Sequence, residues 1–480
     1  MEIGIVGAGV GGLTTALLLA KQGYGVTVFE KESFLGGRLT YQGNDRYRID
    51  QGPTIVLLPE LLKEILHDAG IPEEELELIP CEPLYDIHFH DGETFTKYRD
   101  LPTQLREVDR LFPGESSNFL RYLSDMSRTY ELGMKAFLSK TFKRKRDFMT
   151  FENMKLLAES KAYKTLKNFN ASYFADPKLQ DAYSLQSLYI GGSPYEAPAL
   201  YGLVSYSEHA YGIWYLKGGY YSLVPLLEKA CKKAGVKIHL QAKVEKIKIE
   251  KAVCKGLVVN GKHVDCDAVV FNGDFPHLYP MVQVSEREKK FKASSGCVLI
   301  YLGVNKRFPN TKAHQFYLPE DFEKHMNQVS KSNQIPDDPS FYIFNPTALD
   351  SEAAPPGESV LYFLIPVPSG EEINWEEEKA SFVEKVMKKA EERHFAGLTS
   401  AINWMEVRTP ADSLKDGLYQ GGSFGIAPTL FQSGGFRPQI SPYKVDRLYS
   451  VGASVHPGGG VPIVLQGARM LSELINADLA

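Results

Sequence analysis

The chain has 480 residues, 43% of them hydrophobic and 11% aromatic, with a formal net charge of −5. That length is too great for one compact core and calls for two or more domains, or one domain with large insertions. The slightly acidic balance argues against a nucleic-acid partner, and no uncharged apolar run reaches the about 18 residues that span a bilayer.

Glu2-Ile-Gly-Ile-Val6 reads as a buried strand, Gly7-Ala-Gly-Val-Gly-Gly12 as a tight turn into a helix, and Val26-Thr-Val-Phe-Glu30 as a second strand. In such a unit Gly7 makes the turn, Gly9 lets the backbone approach phosphates, and Gly12, beside Gly11, lets the helix pack close to the strand. The helix N-terminus then aims its free N–H groups and dipole at a pyrophosphate, while the Glu30 carboxylate accepts from a ribose 2′-OH. After Glu30 come Lys31, the pair Gly36-Gly37 with Arg38, and Asp50-Gln-Gly52-Pro53-Thr54. A nicotinamide dehydrogenase has no such continuation.

From about Cys81 to Gly219 the pattern is largely helical. Within it Lys135, Lys140, Lys143, Arg144, Lys145, Arg146, Lys155, Lys161, Lys164 and Lys167 interleave with Phe137, Phe142, Phe148, Met149, Phe151, Met154 and Leu156. Bases on one side and large apolar groups on the other suit an anionic membrane surface; a solvated face over a protein core is the alternative. Next come a helix over 223–234 and strands at 236–240, 244–249 and 268–271. The stretch from about Met281 to Phe431 mixes strands at 298–302 and 360–365 with polar loops. Leu448-Tyr-Ser-Val-Gly452-Ala-Ser-Val-His456-Pro-Gly-Gly-Gly460-Val-Pro462 then repeats the logic of the N-terminus: a strand, a glycine-rich turn and a helix over 464–475. Cys81, Cys231, Cys254, Cys266 and Cys297 form no CxxC pair, so reduced thiols and a cytoplasmic setting are expected. Met1 runs directly into a fold-forming strand, so no signal peptide is expected.

These segments, with Leu188-Tyr-Ile-Gly191, Trp214-Tyr-Leu-Lys-Gly-Gly219, Asn272-Gly-Asp-Phe-Pro276, Gly421-Gly-Ser-Phe-Gly425, Gln432 and Arg437-Pro438, resemble in order the blocks of the carotenoid (phytoene) desaturase family of FAD flavoproteins. The similarity spans essentially the whole chain and is greatest to the bacterial 4,4′-diapophytoene desaturases. Many flavoproteins have Gly-Asp at the C-terminal turn; this chain has Gly452-Ala453, an alanine that carotenoid desaturases share. The resemblance implies an α/β fold, a Rossmann-like FAD-binding domain of the amino-oxidase type with an inserted mixed α+β substrate domain. Segments 1–80, 220–280 and 432–480 would make the first, and 81–219 and 281–431 the substrate-binding and membrane-contacting second. It further implies FAD held by Gly7, Gly9, Gly11, Gly12, Glu30, Lys31, Gly37, Arg38, Pro53, Thr54, Val244, Gly452, Ala453, Gly460 and Val461. Val244 would lie by the adenine, unless it is a plain strand residue.

The implied activity is desaturation of a triterpenoid precursor, 4,4′-diapophytoene, towards diaponeurosporene and diapolycopene. Hydride would pass from one carbon to the flavin, leaving an allylic cation, and the neighbouring carbon would lose a proton; oxygen or a membrane quinone would reoxidise the cofactor. The sequence has no Ser–His–Asp set, paired-carboxylate motif or metal cluster. His456 is the candidate proton acceptor, although a role in fixing its turn is the favoured reading, and Asp274 and Glu208 stand behind it. About thirty apolar carbons, at roughly 0.8 kcal/mol per buried CH₂, will not exist free in water, so the enzyme should draw its substrate from the membrane as a peripheral protein. Three rivals are open: a terminal oxygenase forming an aldehyde, an amine or amino-acid oxidase, and a non-catalytic prenyl-lipid-binding protein. Ala453-Ser-Val-His-Pro457 and Val461-Pro-Ile-Val-Leu465 favour the desaturase, and the intact glycines at both ends disfavour the binding protein.

Overall fold

The computed structural model describes residues 1–142, 145–282, 284 and 288–479. A five-stranded parallel sheet is assembled from three distant parts of the chain, in the order Leu448–Ser450, Ala268–Phe271, Glu2–Val6, Gly25–Phe29, Lys237–His239. The N-terminal strand lies in the middle, so Ile3, Ile5, Val28, Val269 and Val270 are all buried. The helix Val10–Lys21 is apolar almost all round, as a helix enclosed by protein must be. It packs against both Leu223–Lys233 and the C-terminal helix Val461–Leu479.

The expected strand at 244–249 is Val244–Glu250, and it continues into two hairpin partners, Val253–Val259 and Lys262–Asp265. Asn260-Gly261, both at positive φ, makes the second turn, a pairing that suits the twist of a two-residue hairpin.

A seven-stranded sheet runs Ile402–Arg408, Gly296–Val304, Ser359–Val367, Phe341–Phe344, His314–Tyr317, Tyr85–His88, Thr94–Lys97. Every pair is antiparallel except His314–Tyr317 with Tyr85–His88. Successive side chains point to opposite faces. Val298, Ile300, Phe363 and Ile365 meet Phe382 and Val386 of the helix Trp375–Arg393, whereas Tyr301, Phe316, Tyr342 and Tyr362 fill the other face. Burial on both faces explains why the strands at 298–302 and 360–365 read as continuous apolar runs. The segment 81–219 is less purely helical than expected, because Tyr85–His88 and Thr94–Lys97 extend this sheet.

The basic aromatic stretch also differs from expectation. Lys143 and Arg144 lie outside the described residues. Phe137, Phe142, Phe148 and Leu156 are buried in a cluster of their own with Phe436 packed on it, so much of the apolar stripe is core rather than surface. Met149 and Phe151 are the exceptions, 52% and 79% exposed.

Candidate active site

A single cavity of about 1430 Å³ opens from the N-terminal glycine turn and reaches the aromatic face of the seven-stranded sheet. Ordinary small-molecule pockets occupy roughly 300–1,000 Å³, so this one has room for more than one ligand. Gly7 holds φ +96°, which a side chain would strain, and its N–H donates to the Phe29 carbonyl at 2.8 Å. A Cβ at Gly12 would overlap the Gly7 carbonyl oxygen, so the helix sits on the turn at a distance only glycine permits. At Gly9 a Cβ would meet only the Asn272 amide, at 3.0 Å. Gly36 donates its N–H to the Ala8 carbonyl at 2.9 Å, and a Cβ on Gly37 would lie 3.3 Å from the Gly9 Cα. The second glycine pair therefore shoulders the first.

Gly9 is the N-cap of the helix Val10–Lys21; no side chain caps it and no acid occupies the first turn, which leaves peptide N–H groups for an anion. Glu30 is buried, accepting the Ala8 N–H at 2.7 Å and the Glu32 N–H at 2.9 Å, so its carboxylate is fixed at the edge of the cavity. Lys31 also lies on the wall, donating to the Asp416 carbonyl at 3.1 Å. Arg38 stands 3.7 Å from Asp274. Pro53, Thr54 and Val244 line the same space, as do Gly452, Ala453, Gly460 and Val461 at the second strand-to-helix junction. Of the residues the sequence nominated for FAD, Gly12 alone is absent from the wall, and its part is packing.

Several groups at this site had been singled out in the sequence only as members of a block or, for Asp274, as a reserve proton acceptor, without the contacts they make. Asn272, just past the end of the strand Ala268–Phe271, donates to the Gly7 carbonyl at 3.3 Å, and its side chain closely abuts the Cβ positions of Gly9, Gly11 and Gly12. Asp50 accepts the N–H groups of Tyr220 at 2.6 Å and Tyr221 at 3.0 Å, tying the first segment to the start of the helix Leu223–Lys233. Burial pushes its carboxyl up to about 7 against the pull of those two N–H groups. Arg437 is buried and donates to the carbonyls of Gln432, at 3.0 Å, and Ala453. Asp274 accepts from Ser454 Oγ at 2.6 Å and from the Tyr419 N–H at 3.0 Å, which gives it a holding role between two loops.

His456 lies in the wall, almost wholly buried. Its Nε2 donates to the Lys140 carbonyl at 3.0 Å and its ring packs 5.3 Å from that of Phe142. Burial pushes it down to about 4, so it is neutral near pH 7 and clamps 140–142 onto the turn. Glu208 is a correction: it does not reach the cavity. Its carboxylate pairs with Lys97 at 2.6 Å, both side chains 0% exposed, and accepts from Tyr85 Oη at 2.8 Å. It neutralises a buried ammonium and is not free for proton transfer.

The far part of the cavity is apolar, with Leu188, Tyr189, Leu299, Phe316, Tyr342 and Tyr362 on its walls. Near Phe148, Leu157, Leu430 and Phe436 it approaches the surface, where Phe431 is 70% exposed and packs its ring on Phe436. Among the described residues no helix is long and apolar enough to cross a membrane.

Comparison with known proteins points the same way as this geometry. The model of the flavin-containing amine oxidoreductases matches residues 10–476. A 4,4′-diapolycopen-4-al dehydrogenase of Metabacillus indicus is 50% identical, over 100% of this chain and 97% of that protein. A 4,4′-diaponeurosporene-forming 4,4′-diapophytoene desaturase of Staphylococcus haemolyticus is 32% identical, over 100% of this chain and 99% of its own. Among solved structures, an oxidoreductase from Methanosarcina mazei superposes with a TM-score of 0.70 at 17% identity, covering 98% of this chain and 100% of that one, which speaks for the fold alone.

Proposed function

The chain belongs to the flavin-containing amine oxidoreductases and is an FAD-dependent oxidoreductase, and we propose that it dehydrogenates a thirty-carbon polyene of the 4,4′-diapophytoene type in carotenoid biosynthesis. The observation that carries this reading is the continuity of the cavity, which joins the glycine turn to a long aromatic-walled space. The cradle fits a dinucleotide: Gly9 leaves its side open, the helix N-terminus is uncapped, and Glu30 is fixed beside it. In this reading Gly7, Gly9 and Gly11 border the pyrophosphate and Glu30 the ribose. Lys31, Gly37, Arg38, Pro53, Thr54 and Val244, with Gly452, Ala453, Gly460 and Val461, complete the cofactor wall.

When bound, FAD supplies the two-electron acceptor that no side chain provides. The protein's share is position and dryness. Leu299, Phe316 and Tyr362 exclude water from the reacting carbons and hold the polyene lengthwise against the cofactor wall. Arg437, through the Ala453 carbonyl, and His456, through the Lys140 carbonyl, keep the second turn in place.

A substrate of this kind comes from lipid, and the exposed Met149, Phe151 and Phe431 beside the surface end of the cavity suit a bilayer, with Lys135, Lys140 and Lys155 exposed nearby. We place the protein on the membrane peripherally, with oxygen or a membrane quinone as final acceptor.

Oxidation at the end of the polyene is the second reading, favoured by the name of the 50% identical relative. Products decide between the two. With 4,4′-diapophytoene and an acceptor, the mass should fall by two hydrogens per step while the colour deepens, with no oxygen gained. No change in 4,4′-diapophytoene, together with conversion of a conjugated terminal aldehyde or methyl group, would replace the first reading by the second.

A further inference from the structure

Removing hydride from a hydrocarbon chain leaves a proton to be lost; Glu208 lies away from the cavity, and His456 is engaged in holding the second turn. The wall offers another group. Thr54 and Tyr342 both line the cavity, with Thr54 Oγ1 and Tyr342 Oη 2.8 Å apart. Behind them His314 Nδ1 lies 2.6 Å from Tyr342 Oη, and Cys81 Sγ lies 3.5 Å from His314 Nε2. The four side chains form one unbroken hydrogen-bonded row leading from the cavity into the core.

The sheet explains the row. His314 pairs with Phe344 and Phe316 with Tyr342 on adjacent strands, so all four residues share the face towards the cavity. The His314 ring is stacked at 4.9 Å on Phe344 and at 6.0 Å on Tyr342, which fixes its plane. Burial pushes the imidazole down to about 3 and the Cys81 thiol up to about 12, so the ring is neutral and the sulfur keeps its proton. With Nε2–H directed at Sγ, Nδ1 is free to accept from the tyrosine hydroxyl.

We propose that Tyr342, backed by His314, accepts the proton lost in each desaturation; this rests on the desaturase reading. Hydride leaves one carbon with its electron pair and goes to FAD. The adjacent C–H bond then breaks, its electrons become the new carbon–carbon π bond, and its proton binds Tyr342 Oη. The hydroxyl proton of Tyr342 passes at the same time to His314 Nδ1, giving an imidazolium. An acceptor of the oxygen or quinone class, taking two electrons and two protons, restores both groups. A weak base suffices, because a C–H bond beside a carbocation is far more acidic than any imidazolium. Tyr342 is the catalytic residue, and His314 is a positioning residue that acts through it.

The test compares wild-type, Tyr342→Phe and His314→Gln holoenzymes during anaerobic mixing with liposomes that contain 4,4′-diapophytoene. If the wild-type flavin does not bleach, the desaturase reading itself has failed. Given bleaching, both variants should retain stoichiometric flavin yet bleach at least 100-fold more slowly, in the range that a lost acid–base group costs, because a cation that keeps its proton takes the hydride back. Deuterium at the carbon that loses the proton should give a larger isotope effect in Tyr342→Phe than in wild type, a change that loosened packing would not produce. Nitrogen-15 spectra of histidine-labelled wild-type protein should show His314 neutral and protonated at Nε2. Wild-type bleaching rates in flavin-loaded Tyr342→Phe, or a resting His314 protonated at Nδ1, would overturn the proposal.

Discussion

Gly9 separates binding from folding more cleanly than any other position in the cradle. A Cβ there meets only the Asn272 amide, at 3.0 Å, so Gly9→Val asks a small shift of that side chain, while its methyl groups would occupy the proposed phosphate site. The variant should be folded, with far-ultraviolet circular dichroism like that of wild type, and should hold less than about a tenth of its flavin; stoichiometric flavin would remove the phosphate assignment. His456 makes a pH prediction. Its ring titrates near 6.5 when unfolded and is pushed down to about 4 when folded, so the unfolded chain binds more protons between those values. The neutral ring therefore contributes stability that is present above pH 6.5 and lost as pH falls towards 4, on the order of 3 kcal/mol. Urea unfolding of His456→Gln should show a shallower loss of stability over that window than wild type, and parallel curves would deny the ring its buried, neutral state. The glycines and Glu30 were legible in the sequence because their contacts are local. Asn272 and Asp50 stood out only as members of blocks and His314 not at all, because each meets partners that the chain brings from far away: Asp50 meets Tyr220, and His314 meets Cys81.

Two elements frame the surface end of the cavity, the helix Phe151–Glu159 and the loop around Phe431. Fully burying a phenylalanine is worth about 1.5–3 kcal/mol, so in the proposed peripheral attachment two such tips would supply a sizeable share of the binding to lipid. Phe151→Ser with Phe431→Ser should lower binding to anionic vesicles at least tenfold while leaving flavin content and melting temperature unchanged, since both rings are mostly exposed. Unchanged sedimentation with vesicles would assign these tips to the aqueous surface. At this scale the sequence was a partial guide. Strands such as Gly296–Val304 declare themselves by apolar runs, but Tyr85–His88 and Thr94–Lys97 are too short to do so and are strands because a sheet edge is there to receive them. The basic aromatic stretch was legible only in part for a related reason: a periodic apolar stripe looks the same whether it faces outwards, like Phe151, or, like Phe137 and Phe148, its own core.

Across the whole molecule, the parallel sheet and the seven-stranded sheet share one cavity, and this arrangement makes a dinucleotide site into a candidate dehydrogenase of long apolar chains. The parallel sheet was evident from the two ends of the sequence, since each is a strand, a glycine turn and a helix. The cavity was not, because its wall is contributed by segments that share no local pattern, from Thr54 through Leu188 and Leu299 to Phe436. The most direct test follows electrons in the absence of oxygen: the purified flavoprotein is mixed anaerobically with liposomes carrying 4,4′-diapophytoene, and the flavin absorbance is followed with time. Hydride transfer needs no oxygen, so the flavin should bleach as a new conjugated double bond appears in stoichiometric amount. A flavin that stays oxidised beside 4,4′-diapophytoene, yet bleaches with an oxygen-bearing, more fully conjugated polyene, would contradict the account and move the chemistry to the end of the chain.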